Sequence, residues 1–364
     1  MKKFSLAFGF LLLLTLVLSA CDSTPKPAST VAPTTTAPAT VASTTAAPTS
    51  APTTVAATAV SAPRPTSATT TVPAAFPVTV SDASGNNITL NKKAERVVCV
   101  GPACIEIMAD LNTLPVASTF MALVRRPEFF GQRADQIIEI SGTTAEPNLE
   151  QIVQAKPDLI IGEEGITMRL RDALKKVTPV FEVKVAGYEE AIKNLRDVGK
   201  LTGLSIPAEA LIDKFRAKLA NYAAKSPKDK TAVLMSDYAV NTTFTTEKAA
   251  ICLILKEVSK GCPLPPPPTG NMVRGRFAYS LELVLEANPD ALFVGVNPTH
   301  DAAKNAQSKQ TMGANPFWKE FKAVKTGQVF EVDTQIWVRT ELRSLNLMLD
   351  EAMSKLYPSV FPKN

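Results

Sequence analysis

The chain has 364 residues, with 39 Lys and Arg against 34 Asp and Glu, a single His and a formal charge of +5. Lys2, Lys3, Lys26 and Arg64 against Asp22 account for +3 of that charge outside the part with globular composition, so the 289 residues from Phe76 onward carry only about +2. A near-neutral body without a basic stripe excludes a nucleic-acid binder, and a lone His300 excludes zinc sites built on several imidazoles and acid/base chemistry that relies on a His pair.

Lys2 and Lys3 precede an apolar stretch from Phe4 to Leu18. As a helix it would rise roughly 22 Å, short of the ~30 Å hydrocarbon core, which predicts a signal peptide over residues 1–20 rather than a membrane span. The stretch ends in Leu18-Ser19-Ala20-Cys21, similar to a bacterial lipobox, in which small residues fit the signal peptidase and the cysteine thiol receives diacylglycerol. This predicts a mature chain that begins at Cys21, faces away from the cytoplasm and is anchored to the cell membrane by its lipid. Residues 21–75 are almost wholly Thr, Ala, Pro, Ser and Val; no apolar face there offsets the entropy of ordering, so a disordered linker is expected, compatible with O-glycosylation.

The folded part opens with a hairpin, Val78–Val80 and Ile88–Leu90 around Ser84-Gly85-Asn86-Asn87. Strands are predicted at Arg96–Val100, Val116–Met121, Asp158–Ile161 (stopped by Gly162) and Pro179–Val185. Helices are predicted at Ala103–Leu111, at Pro147–Ala155 with Pro in the first turn, and at Met168–Lys176. Tyr188–Lys200 and Pro207–Ala224 then carry apolar stripes at helical spacing with no strand between them, which reads as a long helical connector. Beyond it come strands at Ala232–Ser236, Ala291–Val296 and Val329–Val332, and helices at Ala249–Val258, Ser280–Ala287, Pro316–Phe321 and Thr340–Leu356. The fold class is α/β: an N-terminal lobe over 76–186, connecting helices over 187–226 and a C-terminal lobe over 227–364, with mostly parallel sheets and a cleft between the lobes.

Five stretches in order resemble the class III solute-binding proteins of ABC importers, the group that delivers ferric siderophores, cobalamin and haem. They are Val78-Thr79-Val80-Ser81-Asp82; Glu95-Arg96-Val97-Val98; Pro147-Asn148-Leu149-Glu150-Gln151-Ile152 with Lys156-Pro157-Asp158-Leu159-Ile160-Ile161-Gly162; Ser280-Leu281-Glu282 with Asn288-Pro289-Asp290-Ala291-Leu292-Phe293-Val294; and Ala323-Val324-Lys325-Thr326-Gly327-Gln328-Val329-Phe330 followed by Trp337. The resemblance spans nearly all of residues 76–357. It implies two lobes bridged by one helix, ligand capture with a small rigid-body change, and delivery to an ABC permease in the membrane. The repeated Pro-Asp step has a mechanical reading in both lobes: proline ends a helix and aspartate turns the chain into the next buried strand.

Loops after the strands line such a cleft, and they contain Arg125, Arg126, Tyr238, Arg274, Arg276, Trp337 and Arg339. Guanidinium forks pair with carboxylate or catecholate oxygens and aromatic faces cover flat apolar surface, so these residues point to an anionic iron chelate; Arg125, Arg276 and Arg339 are the favoured contacts. Iron(III) inside a siderophore already holds its oxygen ligands, so no cofactor and no protein metal ligand are expected, and His300 beside Asp301 reads as a surface residue. A monomer is expected. The family's permease-docking glutamate of the C-terminal lobe matches Glu282, whose bland reading is a first-turn acid favouring the helix dipole. Its N-terminal counterpart falls near Arg169, a departure that Glu163, Glu164 or Asp172 would have to make good.

Export permits disulfides. Cys252 and Cys262 are placed to form one around a helix end; for Cys99 and Cys104 buried thiols are the simpler reading, with a second disulfide left open. The alternatives are a cobalamin- or haem-binding member of the same family, an exported hydrolase and a surface adhesin on a stalk. The hydrolase has no Gly-x-Ser-x-Gly, zinc motif or phosphate loop to support it, and only a Cys104/His300 pair as nucleophile.

Overall fold

A computed structural model describes residues 75–167, 171–267, 275–298 and 302–362. The signal peptide, Cys21, the linker up to residue 74, Arg169, Arg274 and His300 lie outside the described residues. Strands β1 (Val78–Ser81) and β2 (Asn87–Leu90) form the expected antiparallel hairpin. The first large sheet comprises β3 (Val97–Val100), β4 (Ala117–Ser118), β5 (Ile138–Glu139), β6 (Leu159–Glu163) and β7 (Val180–Val183), all parallel, in the order β5-β4-β3-β6-β7. The second comprises β8 (Ala232–Met235), β9 (Phe244–Thr245), β10 (Arg276–Phe277), β11 (Ala291–Val296) and β12 (Val329–Asp333), in the order β10-β9-β8-β11-β12. There β8, β11 and β12 are parallel, while β9 runs antiparallel to both of its neighbours.

Strands β3, β6, β7 and β8 are buried at every position, the signature of a parallel sheet covered on both faces. Alternation sorts their side chains between three apolar clusters. Val97 and Cys99 of β3, with Ala232 and Leu234 of β8, face one shared core together with the connecting helices and the C-terminal helix. Val98 and Val100 face a second core on the outer side of the first sheet, and Val233 and Met235 a third on the outer side of the second. Two sheets therefore share one helical layer without merging.

That layer contains helices Tyr188–Leu201 and Ser205–Lys225, the latter of 21 residues and roughly 31 Å long. The C-terminal helix Leu342–Leu356 belongs to it as well, because its closest partner is helix Pro102–Asp110 of the first lobe. The amino acids assigned by sequence to a purely C-terminal lobe thus return across the molecule.

Several expectations are corrected. Gly162 does not stop the third strand but lies within β6; it is Gly because Thr167 packs on it, with Oγ1 only 2.1 Å from where a Cβ would stand. The second strand shrinks to two residues, and Met121 begins a short helix instead. Pro147 stays outside its helix: Asn148 is the N-cap, its side chain accepting from the Gln151 amide at 3.1 Å. Short strands β5, β9 and β10 and helix Ala302–Ala314 lacked a strong apolar period and were missed. Cys99 and Cys104 are a disulfide, not free thiols, because the strand-to-helix turn at Gly101 brings their Cα atoms to 5.4 Å; Cys252 and Cys262 are bonded as expected, at 5.5 Å.

The Pro-Asp steps do more than turn the chain. Lys156 and Asn288 before the two prolines both take positive φ, at 48° and 41°, which closes the preceding helix in the left-handed region. The Asp158 carboxylate then accepts from the Glu95 and Arg96 amides, each at 2.9 Å, at the entry to β3. Asp290 likewise accepts from the Thr231 amide at 2.8 Å and its hydroxyl at 2.9 Å at the entry to β8. In each lobe one aspartate fastens the start of the neighbouring strand.

Candidate functional site

The carboxyl ends of the parallel strands meet across a seam, which is where open α/β sheets hold ligands. From the first sheet come Pro102 and Ala103 after β3, Phe120 after β4, Glu163 at the end of β6 and Val185 after β7; from the second come Asp333 at the end of β12 and Val338, Arg339 and Thr340 beyond it. The gap between them is almost closed, a cavity of about 10 Å³, with a second of about 20 Å³ beside Arg276, Trp337 and Arg339. A separate space of about 400 Å³ lies against the second sheet, walled by Ser236, Asp237, Gly295, Asn297 and Thr334 at the ends of β8, β11 and β12 and by Lys304 of helix Ala302–Ala314. A larger hollow of about 670 Å³ runs along the outer strand β12, between Lys309, Trp318 and Glu331. The smaller one is the better ligand chamber, since it stands at the carboxyl ends of β8, β11 and β12.

The sequence-predicted residues divide. Arg339 is buried at the seam, its Nε donating to the Gln335 carbonyl at 3.1 Å and its guanidinium lying 5.0 Å from the Phe120 ring of the other sheet. Arg276 borders the same seam. Arg126 reaches across it, its Nη2 donating to Asp333 at 2.6 Å and to Glu128 at 3.0 Å, while its Nε is buried without a partner. Arg125 stands apart: it is exposed and paired with Glu139 at 2.7 Å. Tyr238 is buried, donating to Glu331 at 3.2 Å and forming an edge-on contact with Trp318. Burial, with Glu331 adding to it, raises its phenol well above the ordinary range.

Trp337 borders the small cavity beside Arg276 and Arg339 but is otherwise a core residue. It is 2% exposed, lies 4.5 Å from Phe293 in the shared core and donates its indole N–H to Glu351 at 2.7 Å. Glu282 is exposed in the first turn of helix Leu281–Ala287. Glu163 has no place on the rim, because it is buried and accepts from the Ala103 amide at 2.9 Å; Glu164 and Asp172 are exposed.

Sequence reasoning missed the acids of the seam. Glu106, Glu163 and Glu341 are each 1% exposed. Burial pushes Glu106 up to about 8, against the pull of Arg339 and Ser344, and carries Glu341 well above the ordinary carboxylate range, with Glu106 adding to it. Asp110 rises to about 6, again by burial, with Arg343 opposing. Only the polar i, i+4 pair Glu106 and Asp110 on an otherwise apolar helix signalled this cluster in the sequence. Among the described residues no group of three or more His, Cys, Asp or Glu is arranged to hold a metal ion.

Residues 97–249 match the model of the periplasmic binding protein family, and relatives and solved structures align well beyond that segment. Among these relatives, the putative ABC transporter substrate-binding lipoprotein YhfQ of Bacillus subtilis is 25% identical over 72% of this chain and 83% of its own. The Fe(3+)-citrate-binding protein YfmC of the same organism is 25% identical over 74% and 83%. The crystal structure of the triscatecholate siderophore-binding protein FeuA from Bacillus subtilis with ferri-bacillibactin superposes with a TM-score of 0.64 at 20% identity, covering 77% of this chain and 98% of that one. The chain thus has the two-sheet α/β architecture its sequence implies.

Proposed function

We propose that this protein is a lipid-anchored, extracytoplasmic receptor that captures an anionic Fe(III)-siderophore-type chelate in the seam and delivers it to an ABC permease, binding without catalysis. The observation that carries this reading is the pair of opposed strand carboxyl ends, with the Arg339 and Arg126 guanidiniums between them and, at the carboxyl ends of β8, β11 and β12, a chamber of about 400 Å³, a size suited to a small chelate. The names of its relatives, which bind ferric citrate and ferric siderophores, point the same way. The iron is cargo, wrapped by its chelator, so the absence of a protein ligand set is no obstacle. Exposed Glu282 is the docking contact assigned to the permease, Cys21 carries the lipid, and the receptor acts as a monomer.

Titration of the purified protein with ferric citrate, ferric tris-catecholates, cobalamin and haem tests the reading, with quenching of Trp318 and Trp337 as the signal. Saturable binding of an iron chelate is expected. Tight binding of cobalamin or haem with no response to any iron chelate would move the protein to that other ligand class. Arg339→Ala and Arg276→Ala are each expected to weaken binding by about 1–3 kcal/mol, and exposed, ion-paired Arg125→Ala by less. In cells, Cys21→Ala should release the protein from the membrane fraction.

A further inference from the structure

Glu106 holds a free hydrogen-bonding position inside the seam. Its Oε2 accepts from the Ser344 amide at 3.2 Å, while Oε1 is buried with no partner, and the residue lines the small cavity beside Arg339 and Thr340. The groups facing it are Asp110 on its own helix, Glu163 at the end of β6, Arg339 beyond β12, and Glu341 and Ser344 at the start of the C-terminal helix. Arg343 is engaged elsewhere, by Asp110 at 3.2 Å and the Glu128 carbonyl at 2.8 Å. Burial disfavours the ionised form of Glu106, with Asp110 adding to it, and outweighs the opposing pull of Arg339 and Ser344. A neutral carboxyl with one oxygen unpartnered is a hydrogen-bond donor waiting for an acceptor.

We propose that Glu106 is a ligand-binding acid which, as a neutral carboxylic acid, donates a hydrogen bond from Oε1 to an anionic oxygen of the chelate beside the Arg339 guanidinium. The proposal rests on the iron-chelate reading and makes that binding proton-linked. Since burial holds the carboxyl near 8, a rise in pH beyond that value replaces the donor with a negative charge facing the anion.

The test is a set of equilibrium titrations of the mature chain and its Glu106→Gln variant with a hexadentate ferric tris-catecholate and with ferric citrate, from about pH 7 to about pH 10. The wild type should lose affinity about tenfold per pH unit above about 8, whereas the variant, whose amide still donates, should bind without that dependence. The protonation chemistry of the chelates is common to both proteins, so the difference between the profiles belongs to Glu106. Parallel profiles, or a folded variant that binds at no pH, would overturn the proposal. Infrared difference spectra of the wild type provide a check that needs no variant: chelate addition should shift a protonated-carboxyl band, and an unchanged band counts against the assignment. If the wild type binds neither chelate at any pH, the functional reading itself fails, and the proposal with it.

Discussion

Arg126 Nη2 lies 2.6 Å from Asp333 Oδ2, joining the loop after β4 to the end of β12 across the seam between the two sheets. The side chains are 16% and 26% exposed, so the pair is neither fully screened nor fully desolvated. Its removal should cost more than a surface ion pair and less than a buried one. Arg126→Met is expected to lower stability by about 1–3 kcal/mol in urea titrations, and a double-mutant cycle with Asp333→Ala should return a coupling of about 1 kcal/mol or more. A cycle that closes at zero would mean the seam is held by other contacts.

Asp158 and Asp290 accept amide hydrogen bonds at equivalent places in the two lobes. Substituting Ala for either leaves strand-entry N–H groups without their acceptor, so each change should cost about 1–3 kcal/mol. The residues lie in separate sheets with no shared partner, and the double variant should lose the sum of the two. Guanidinium unfolding curves measure both quantities.

Under non-reducing conditions the described cysteines should yield no thiol titre, and peptide mapping should recover Cys99–Cys104 and Cys252–Cys262 as linked pairs. Loop-closure entropy gives about 2 kcal/mol for the five-residue separation and about 3 kcal/mol for the ten-residue one. Paired Cys→Ala variants should lose stability in that order.

The buried acids set how stability depends on pH. In the folded state Glu106 titrates at about 8 against an ordinary value of 4.5, and Asp110 at about 6 against 3.8. Between those limits the native protein binds more protons than the unfolded chain, so stability falls as pH rises from about 4 to about 8 and levels off above. Glu331, held low by Lys309, and Asp290, held low by Lys322 and Thr231 despite burial, act oppositely: their contribution is lost as the solution becomes more acidic than the ordinary carboxylate range. Melting temperatures should peak on the acidic side of neutrality, and Glu106→Gln should flatten the alkaline limb. A wild-type optimum above pH 8 would contradict the burial of these acids.

Long, strongly patterned elements were readable in the amino-acid string. β3, β6, β8 and β11 are short apolar runs buried on both faces, and the hairpin is marked by its Ser-Gly-Asn-Asn turn, so local composition specifies them. Elements of two residues, such as β5, β9 and β10, carry too little pattern to stand out; pairing partners far along the chain define them. Gly162 illustrates the same limit, since a glycine reads as a strand end until Thr167 is seen packed against it.

By itself the sequence determined the α/β class, the family resemblance, the order of the lobes and the loops that supply Arg126, Arg276 and Arg339, because apolar period and turn chemistry are local properties. Only the tertiary structure decided what those side chains meet. It turned Trp337 inward onto Phe293, gave Arg125 to Glu139, and gathered Glu106, Glu163 and Glu341 from three distant stretches into one seam. Burial and charge neighbours are sums over residues brought together by folding, and no window of sequence contains them.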